Sequence, residues 1–414
     1  ADAFRTGVVA NVLAAGCCAT DAFEPGLQAL AIARRAFEEC GAHYGLAWAS
    51  ALATMIAMRR GDLSEAMAQA RLGIAVVEPS LGAASYAGSM LTLLAAEICY
   101  EQGELAQAGR YLDLGLPFID EHGLVEMSAA GYLTRARLLR QRGEPASADT
   151  CLLEGESLGH RLKLPRLARI LAAERCALRL APASLDDAFK LAQSYGFIGH
   201  GGGGSAVTAG ATFAAEEDSV CLVVLRLRLA QGGGASAVGA LNDALRRALR
   251  DGHQAQLARL LCLKAQQQHK AMDSAQALRT LDEALVLAAR CGLLRSLLDA
   301  EPLLLDMAET ICSKRLGLVP PAYLRQLLEA AGRRPAEAQA ATVAPRERTE
   351  AEELTERELK ILRLLKAGLG NRELAQSLFL SEATVKWHLH NIFAKLGVKN
   401  RTSALARAQE ISLL

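Results

Sequence analysis

Lys386, Trp387, His390, Asn391 and Lys395 fall within one short stretch, "SEATVKWHLHNIFAKLGV", residues 381–398. On a helix, Thr384, Trp387, His390 and Asn391 share one side with Ala383 and Ala394, and Lys386 and Lys395 sit at its margins. Lysines neutralise phosphates. A Trp on a basic helix can pack on thymine methyls and sugars, and the flanking alanines lower the relief of a face entering a major groove. Domain docking or partial burial is the competing reading of Trp387. The pair His388 and His390 suggests a metal site, but residues two apart point to different faces. His388 reads as a structural, hydrogen-bonded residue.

Elsewhere no nucleophile motif, metal-ligand spacing or paired-carboxylate site stands out, so an enzyme is not expected. The ten cysteines are scattered without a C-x-x-C pair, and most lie in apolar helical runs. They read as buried free thiols of a reducing cytoplasm. No Walker A motif occurs, so no cofactor is expected in this chain, and ATP enters only with an upstream ATPase domain. No run of eighteen apolar residues occurs, so no membrane span is expected. The stretch 7–19 with Arg5 before it faintly resembles a lipoprotein signal but reads better as a first helix.

The elements that must position the helix of 381–398 are well punctuated. Thr355 and Glu358 form a capping box. Leu359, Leu362 and Leu365, with Ile361 beside them, make the buried stripe of a helix that Gly368 ends. A second helix over 371–378 turns Leu374, Ala375 and Leu378 inward, and "LFL" makes the turn. Ser381 caps the third helix, whose Val385, Leu389, Ile392, Phe393 and Leu396 form the packing side, and Gly397 terminates it. Thr402 is expected to cap a fourth. A short helix, a turn and a longer helix are the parts of a helix-turn-helix, here about 371–396. Residues 354–414 hold ten basic against five acidic side chains, whereas the whole chain is only +1. A basic module on a mildly acidic body points to a polyanion partner for the module alone.

Residues 354–412 resemble the LuxR-type (NarL/FixJ-type) helix-turn-helix family, through "LTERELKILRLL", "GLGNRELAQSL", "SEATVKWHLHNIFAKLGV" and "NRTSA". The resemblance implies a four-helix module that binds double-stranded DNA and dimerises on it. By position it implies base or groove contacts from Lys386, Trp387 and His390. It implies contacts at or near phosphates from Asn371, Arg372, Thr384, Asn391, Lys395, Lys399 and Arg401. Two departures are Gly370, where the family usually has Ser or Thr, and His390, where Lys or Arg is common. The first weakens a helix start by about 1 kcal/mol or less. The second makes one groove contact weaker and dependent on pH.

The body repeats. Ala66, Ala108, Ala148, Ala188, Ala237 and Ala277 each follow a small or polar break at the same offset, spaced by 42, 40, 40, 49 and 40 residues, and Ala29 marks a fainter copy. A period near forty is two helices plus two turns. In the clearest copy one helix ends at Gly61, and Asp62 or Ser64 caps a second that runs to Pro79. One hairpin cannot bury both its faces, so neighbours must stack into a superhelix. Hydrophobic residues are 51% and aromatic ones only 4%, which suits closely packed helices. The expected fold is all-α: a TPR-like two-helix-repeat superhelix over 1–331, then a linker over 332–353, then the four-helix module over 354–414. The odd spacing of 49 contains 196–218, where five Gly fall within six residues, and reads as a flexible loop or insertion. Residues 302–331 are expected to finish the superhelix with capping helices.

The whole layout is similar to the C-terminal half of the MalT-like, large ATP-binding LuxR regulators. That likeness implies an effector-sensing repeat body and a chain that is a fragment of something longer or a shorter relative. The expected function is a cytoplasmic, sequence-specific transcriptional activator, a homodimer or higher oligomer on DNA. Its body would bind a small molecule or protein effector, with Tyr86, Glu97, Arg135 and Arg137 as polar candidates for the concave face. The alternative is a repeat scaffold that binds a protein and carries a vestigial DNA module.

Overall fold

The structure is a computed structural model. It describes residues 2–120, 125–199, 214–232, 234–299, 302–314, 316–333, 356–378, 385, 389, 392, 393, 396, 398 and 400–410. The described residues form helices and no strand, and the chain divides into two compact units, Ala1–Ala338 and Gln339–Leu414.

The first unit is a run of helical hairpins. They are α1 (Ala3–Ala19) with α2 (Phe23–Cys40), α3 (His43–Arg60) with α4 (Leu63–Val77), and α5 (Tyr86–Glu101) with α6 (Leu105–Gly115). Next come α7 (Val125–Gln141) with α8 (Pro145–Arg161), and α9 (Pro165–Ala177) with α10 (Leu185–Ser194). The last pairs are α11 (Ala214–Ala230) with α12 (Gly234–Arg250), and α13 (Gln254–Lys270) with α14 (Ser274–Cys291). The short α15 (Arg295–Leu298), α16 (Pro302–Ser313) and α17 (Pro321–Ala330) close the unit. The apolar run at 7–19 is part of α1, whose Gly7, Ala10, Ala14, Cys17 and Cys18 are buried.

The repeated alanine has a packing reason. Ala66, Ala108, Ala148, Ala188 and Ala277 are completely buried, and Ala237 and Ala29 nearly so. Each sits in the second helix of its hairpin, where the close approach of the first leaves room for a methyl group and little more. The turn between α3 and α4 follows its sequence closely. Gly61 adopts φ +77°, a conformation that costs a residue with a Cβ about 1–2 kcal/mol. Asp62 then caps α4, its Oδ1 accepting the Glu65 N–H at 2.9 Å.

Two expectations need correction. The Gly-rich stretch is structured at both ends: Phe197 is buried in a cluster with Ala172, Ala192 and Val220, and 214–218 begin α11. Ala214, Ala215, Glu216 and Glu217 are good helix formers leading into an apolar run, so the helix extends back towards the glycines. Residues 200–213 lie outside the described residues. The linker also starts later than 332. The Arg333 N–H bonds the Leu328 carbonyl at 2.9 Å, and its guanidinium pairs with Asp306 and Glu309, so this residue completes α17.

The superhelix does more than stack neighbours. It winds tightly enough that α3 meets α13 and α5 meets α15. Leu294 donates its N–H to the Glu101 carbonyl at 2.9 Å, and Tyr100 donates its hydroxyl to Asp299 at 2.7 Å. The expected capping helices are α16 and α17. The buried Asp282 holds the loop between them by accepting the N–H groups of Leu318 and Val319.

In the second unit α18 (Glu356–Lys366), α19 (Asn371–Leu378) and α20 (Arg401–Glu410) surround a core with residues of the third helix, among which Val385, Leu389, Ile392 and Phe393 are helical. Ile361, Leu362, Leu365, Leu374, Val385, Leu389, Ile392, Leu396, Ala404 and Ala408 are buried. Ile361 is thus central to the stripe of α18, whereas Leu359 and Phe393 are only partly buried. Gly368 ends α18 at φ +90°. Thr402 is not the cap of the last helix. Asn400 is, its Oδ1 accepting the Ser403 N–H at 2.9 Å, because α20 starts at Arg401 and Thr402 lies inside the first turn. Thr355, Ser381 and Gly397 lie outside the described residues, as do the side chains of Glu358, Ala375 and Leu378.

Candidate nucleic-acid interface and central cavity

The second unit holds the helix-turn-helix candidates. Val385, Leu389, Ile392 and Leu396 are all buried, at the helical spacing read from the sequence. Lys386, Trp387, His390, Thr384, Asn391, Lys395 and Lys399 lie outside the described residues. Among the candidates that are described, Arg372 is exposed and Asn371 half-buried at the start of α19. Gly370 precedes them without a side-chain cap, but Glu373 supplies half of a capping box. Its carboxylate accepts the Gly370 N–H at 2.7 Å.

Arg401 is engaged within the fold. Its Nη2 donates to the carbonyls of Leu365 and Leu369, at 3.1 and 2.9 Å, at the end of α18. The Leu365 carbonyl also accepts the Gly368 N–H at 3.0 Å in the turn that ends α18, and one guanidinium reaches both carbonyls at once. Sequence reading placed this residue at or near phosphate; the structure ties this nitrogen to positioning the start of α19.

The first unit contains two adjoining spaces where the superhelix closes. A chamber of about 390 Å³ is lined by apolar side chains including Trp48, Leu52, Met55, Leu94, Ile98 and Met127. A neighbouring chamber of about 220 Å³ is lined by charged ones, including Arg137, Glu174 and Asp299. Glu97, Glu101, Leu133, Gln256 and Arg259 line both.

The charges around these chambers are mostly paired. Arg137 forms a two-pronged bond to Glu174, at 2.9 and 2.8 Å. Although burial opposes it, Arg137 holds the Glu174 carboxyl below the usual carboxylate range. Arg166 pairs with Glu126 at 2.7 Å, and Arg59 with Asp21 at 2.7 Å. Glu101 accepts both the backbone N–H and the hydroxyl of Ser296, at 2.7 and 2.8 Å. His253 lies between Asp21, 3.1 Å from Nε2, and Asp218, 3.7 Å from Nδ1. Burial alone would lower its pKa, but the bonds to Asp21 and Asp218 outweigh this and raise it to about 9.

Of the four polar candidates for the concave face, the structure brings Glu97 and Arg137 together at the cavity. Tyr86 instead stacks on Tyr44 with ring centroids 6.2 Å apart, and Arg135 pairs at 3.7 Å with Glu154 on the surface. Glu101, Gln256 and Arg259 were not singled out from sequence. The available signal was a carboxylate or amide inside an otherwise apolar helical stretch, which needs a partner when buried. All ten cysteines are free thiols, and burial pushes those of Cys99, Cys176 and Cys262 up to about 12. Among the described residues no helix is long and apolar enough to cross a membrane.

Comparison with known proteins agrees with this division. Residues 352–408 match the family described as bacterial regulatory proteins, luxR family, and residues 2–309 match the MalT-like TPR region. The CsgBAC operon transcriptional regulatory protein of Escherichia coli (strain K12) is 53% identical over 62 residues, 15% of this chain and 29% of that protein. The serine/threonine-protein kinase PknK of Mycobacterium tuberculosis (strain ATCC 25618 / H37Rv) is 34% identical over 150 residues, 36% of this chain and 13% of that protein. The HTH-type transcriptional regulator AlkS of Ectopseudomonas oleovorans is 38% identical over 61 residues, 15% of this chain and 7% of that protein. The chain therefore spans less than a third of the length of each of these relatives. With more than half of its residues in the repeat match, the chain belongs to the MalT-like TPR-region family, and it joins to that body a regulatory module of the luxR family.

Proposed function

We propose that this protein is a sequence-specific DNA-binding transcriptional activator of the cytoplasm, in which an effector of the repeat body controls the terminal module. The observation that carries the reading is the luxR-family match over 352–408, on a compact basic unit whose third helix buries Val385, Leu389, Ile392 and Leu396. Lys386, Trp387 and His390 are proposed as its groove contacts. Asn371, Arg372, Thr384, Asn391, Lys395 and Lys399 are proposed at or near phosphates, with Arg401 reaching phosphate only through its remaining nitrogens. A single four-helix module reads few base pairs, so the proposed active form is a dimer or larger assembly on paired half-sites.

The test is selection of bound sequences from a randomised duplex pool by the full chain at physiological salt, followed by a reporter gene bearing the selected site. Enrichment of one repeated half-site and increased transcription are expected. No retained duplex at that salt would leave the repeat scaffold as the better reading, and a fall in transcription would make the protein a repressor.

A further inference from the structure

The central cavity has the chemistry of a binding site for a particular class of molecule. Gln256 is 4% exposed and lines both chambers. Its Nε2 donates to the Asp218 carbonyl at 3.2 Å, which fixes the amide orientation. Among the described residues its Oε1 has no hydrogen-bond partner. A buried acceptor left in this state is destabilising, and a donor from a ligand would relieve that. Glu97 stands at the same junction of the chambers, half-buried, with no hydrogen bond or ion pair to the described residues. Burial pushes its carboxyl above the usual carboxylate range, against the pull of Arg137 and Arg259. In its protonated form a carboxyl both donates and accepts a hydrogen bond.

The walls decide between charged and neutral occupants. Around the larger chamber Arg59 is matched by Asp21, Arg166 by Glu126, and Asp218 by His253, while Arg259 lies 3.6 Å from Glu101. A charged ligand would lose its hydration and find these partners already occupied. An apolar molecule would bury its body against Trp48, Leu52 and Ile98. The volume of about 390 Å³ falls in the range of small-molecule sites, roughly 300–1,000 Å³.

We infer that this cavity binds a neutral, largely apolar small molecule carrying a hydroxyl or amide N–H, which donates to Gln256 Oε1 and meets Glu97 beside it. This rests on the proposal that the repeat body takes an effector, and it adds the site and the chemical class.

Trp48 in the chamber wall supplies the readout. The full chain carrying Trp387→Phe leaves Trp48 as the single tryptophan. It is titrated with phenylbutanol, phenylbutyrate and phenylbutylamine, three probes of one apolar body with neutral, anionic and cationic heads. Phenylbutanol is expected to shift Trp48 emission saturably and to bind at least tenfold more tightly than either charged probe. Gln256→Met removes the acceptor and should weaken phenylbutanol about three- to tenfold. Glu97→Gln supplies a neutral donor and acceptor at the same place, and should bind within about threefold of the parent. Circular dichroism checks that each variant is folded. No saturable shift with any probe in the folded parent, or tighter binding of a charged one, overturns the inference. So does unchanged phenylbutanol affinity in folded Gln256→Met. None of these readings uses DNA, so failure of the duplex selection leaves the cavity result standing, and the converse holds too.

Discussion

The Tyr100 hydroxyl donates to the Asp299 carboxylate across 199 residues of sequence, at 2.7 Å. The phenol stands at the end of α5 and the carboxylate just after α15, so one bond ties an early hairpin to the last turns of the superhelix. Gln141 and Arg295 donate to the same carboxylate, and the Arg295 guanidinium lies over the Tyr100 ring at 5.4 Å. Tyr100→Phe keeps the ring and removes one charge-assisted bond. The expected loss is about 1–2 kcal/mol, because Asp299 retains two donors. Thermal unfolding of the two proteins checks it, and an unchanged midpoint would show that the closure does not depend on this bond.

His253 makes a second closure contact, and its contribution depends on pH. Its folded pKa of about 9 lies above the ordinary value of 6.5. A raised pKa means the folded state holds the proton more tightly, so the stabilisation is full below about pH 6.5 and disappears as pH rises through 9. Asp21 and Asp218 face the ring as partners, and Arg59 is close by as an opposing charge. His253→Gln should therefore cost more stability at pH 6 than at pH 10. Denaturant titrations of both proteins at the two pH values measure this, and an equal cost at both would remove the charged pair from the account.

The repeated alanines should not tolerate growth. Ala108 is completely buried, while Ala106, two residues earlier on α6, is exposed. Ala108→Leu should cost about 1–3 kcal/mol by overpacking. Ala106→Leu should stay within about 0.5 kcal/mol of the parent. Similar midpoints for the two variants in urea would contradict the close-approach role of the repeated position.

Arg401 separates a positioning role from a phosphate role. Arg401→Lys retains the charge but not the planar fork that spans the Leu365 and Leu369 carbonyls. It should loosen the α18–α19 junction, seen as faster amide exchange over residues 366–372. Native exchange there combined with weaker duplex binding would assign the side chain to phosphate alone.

Lys386 and Trp387 should behave differently on DNA. Lys386→Ala is expected to weaken binding to every sequence and to reduce the slope of log affinity against log salt by about 0.9. Trp387→Ala is expected to change which bases are preferred. Anisotropy titrations over a set of single-base variants of the selected site distinguish the two. An equal, sequence-independent loss from both would sink this division of roles.

Much of the architecture could be read from local chemistry. The spacing of Ala66, Ala108 and Ala148, the break at Gly61 and a cap at Asp62 or Ser64 are properties of neighbouring residues, and the structure realises each of them, with Asp62 as the cap. The same holds for the stripe of Val385, Leu389, Ile392 and Leu396. Misreadings were one turn or less in size where a cap had neighbours of similar chemistry. Asn400 outcompetes Thr402 because the helix begins at Arg401, a choice that a single sequence leaves open.

By itself, then, the sequence determined an all-helical repeat body, a basic helix-turn-helix module and the inward face of its third helix, because helical periodicity and capping act over a few residues. Tertiary structure alone decided that α5 meets α15, that Glu97, Gln256 and Arg259 converge on one cavity while Tyr86 and Arg135 do not, and that Arg401 is tied to the end of α18. Those relationships join residues tens to hundreds of positions apart. Those in the repeat body follow from the accumulated pitch of the stacked hairpins, a small rotation per repeat that no local pattern records, and the Arg401 tie follows from how α18 and α20 pack in the terminal unit.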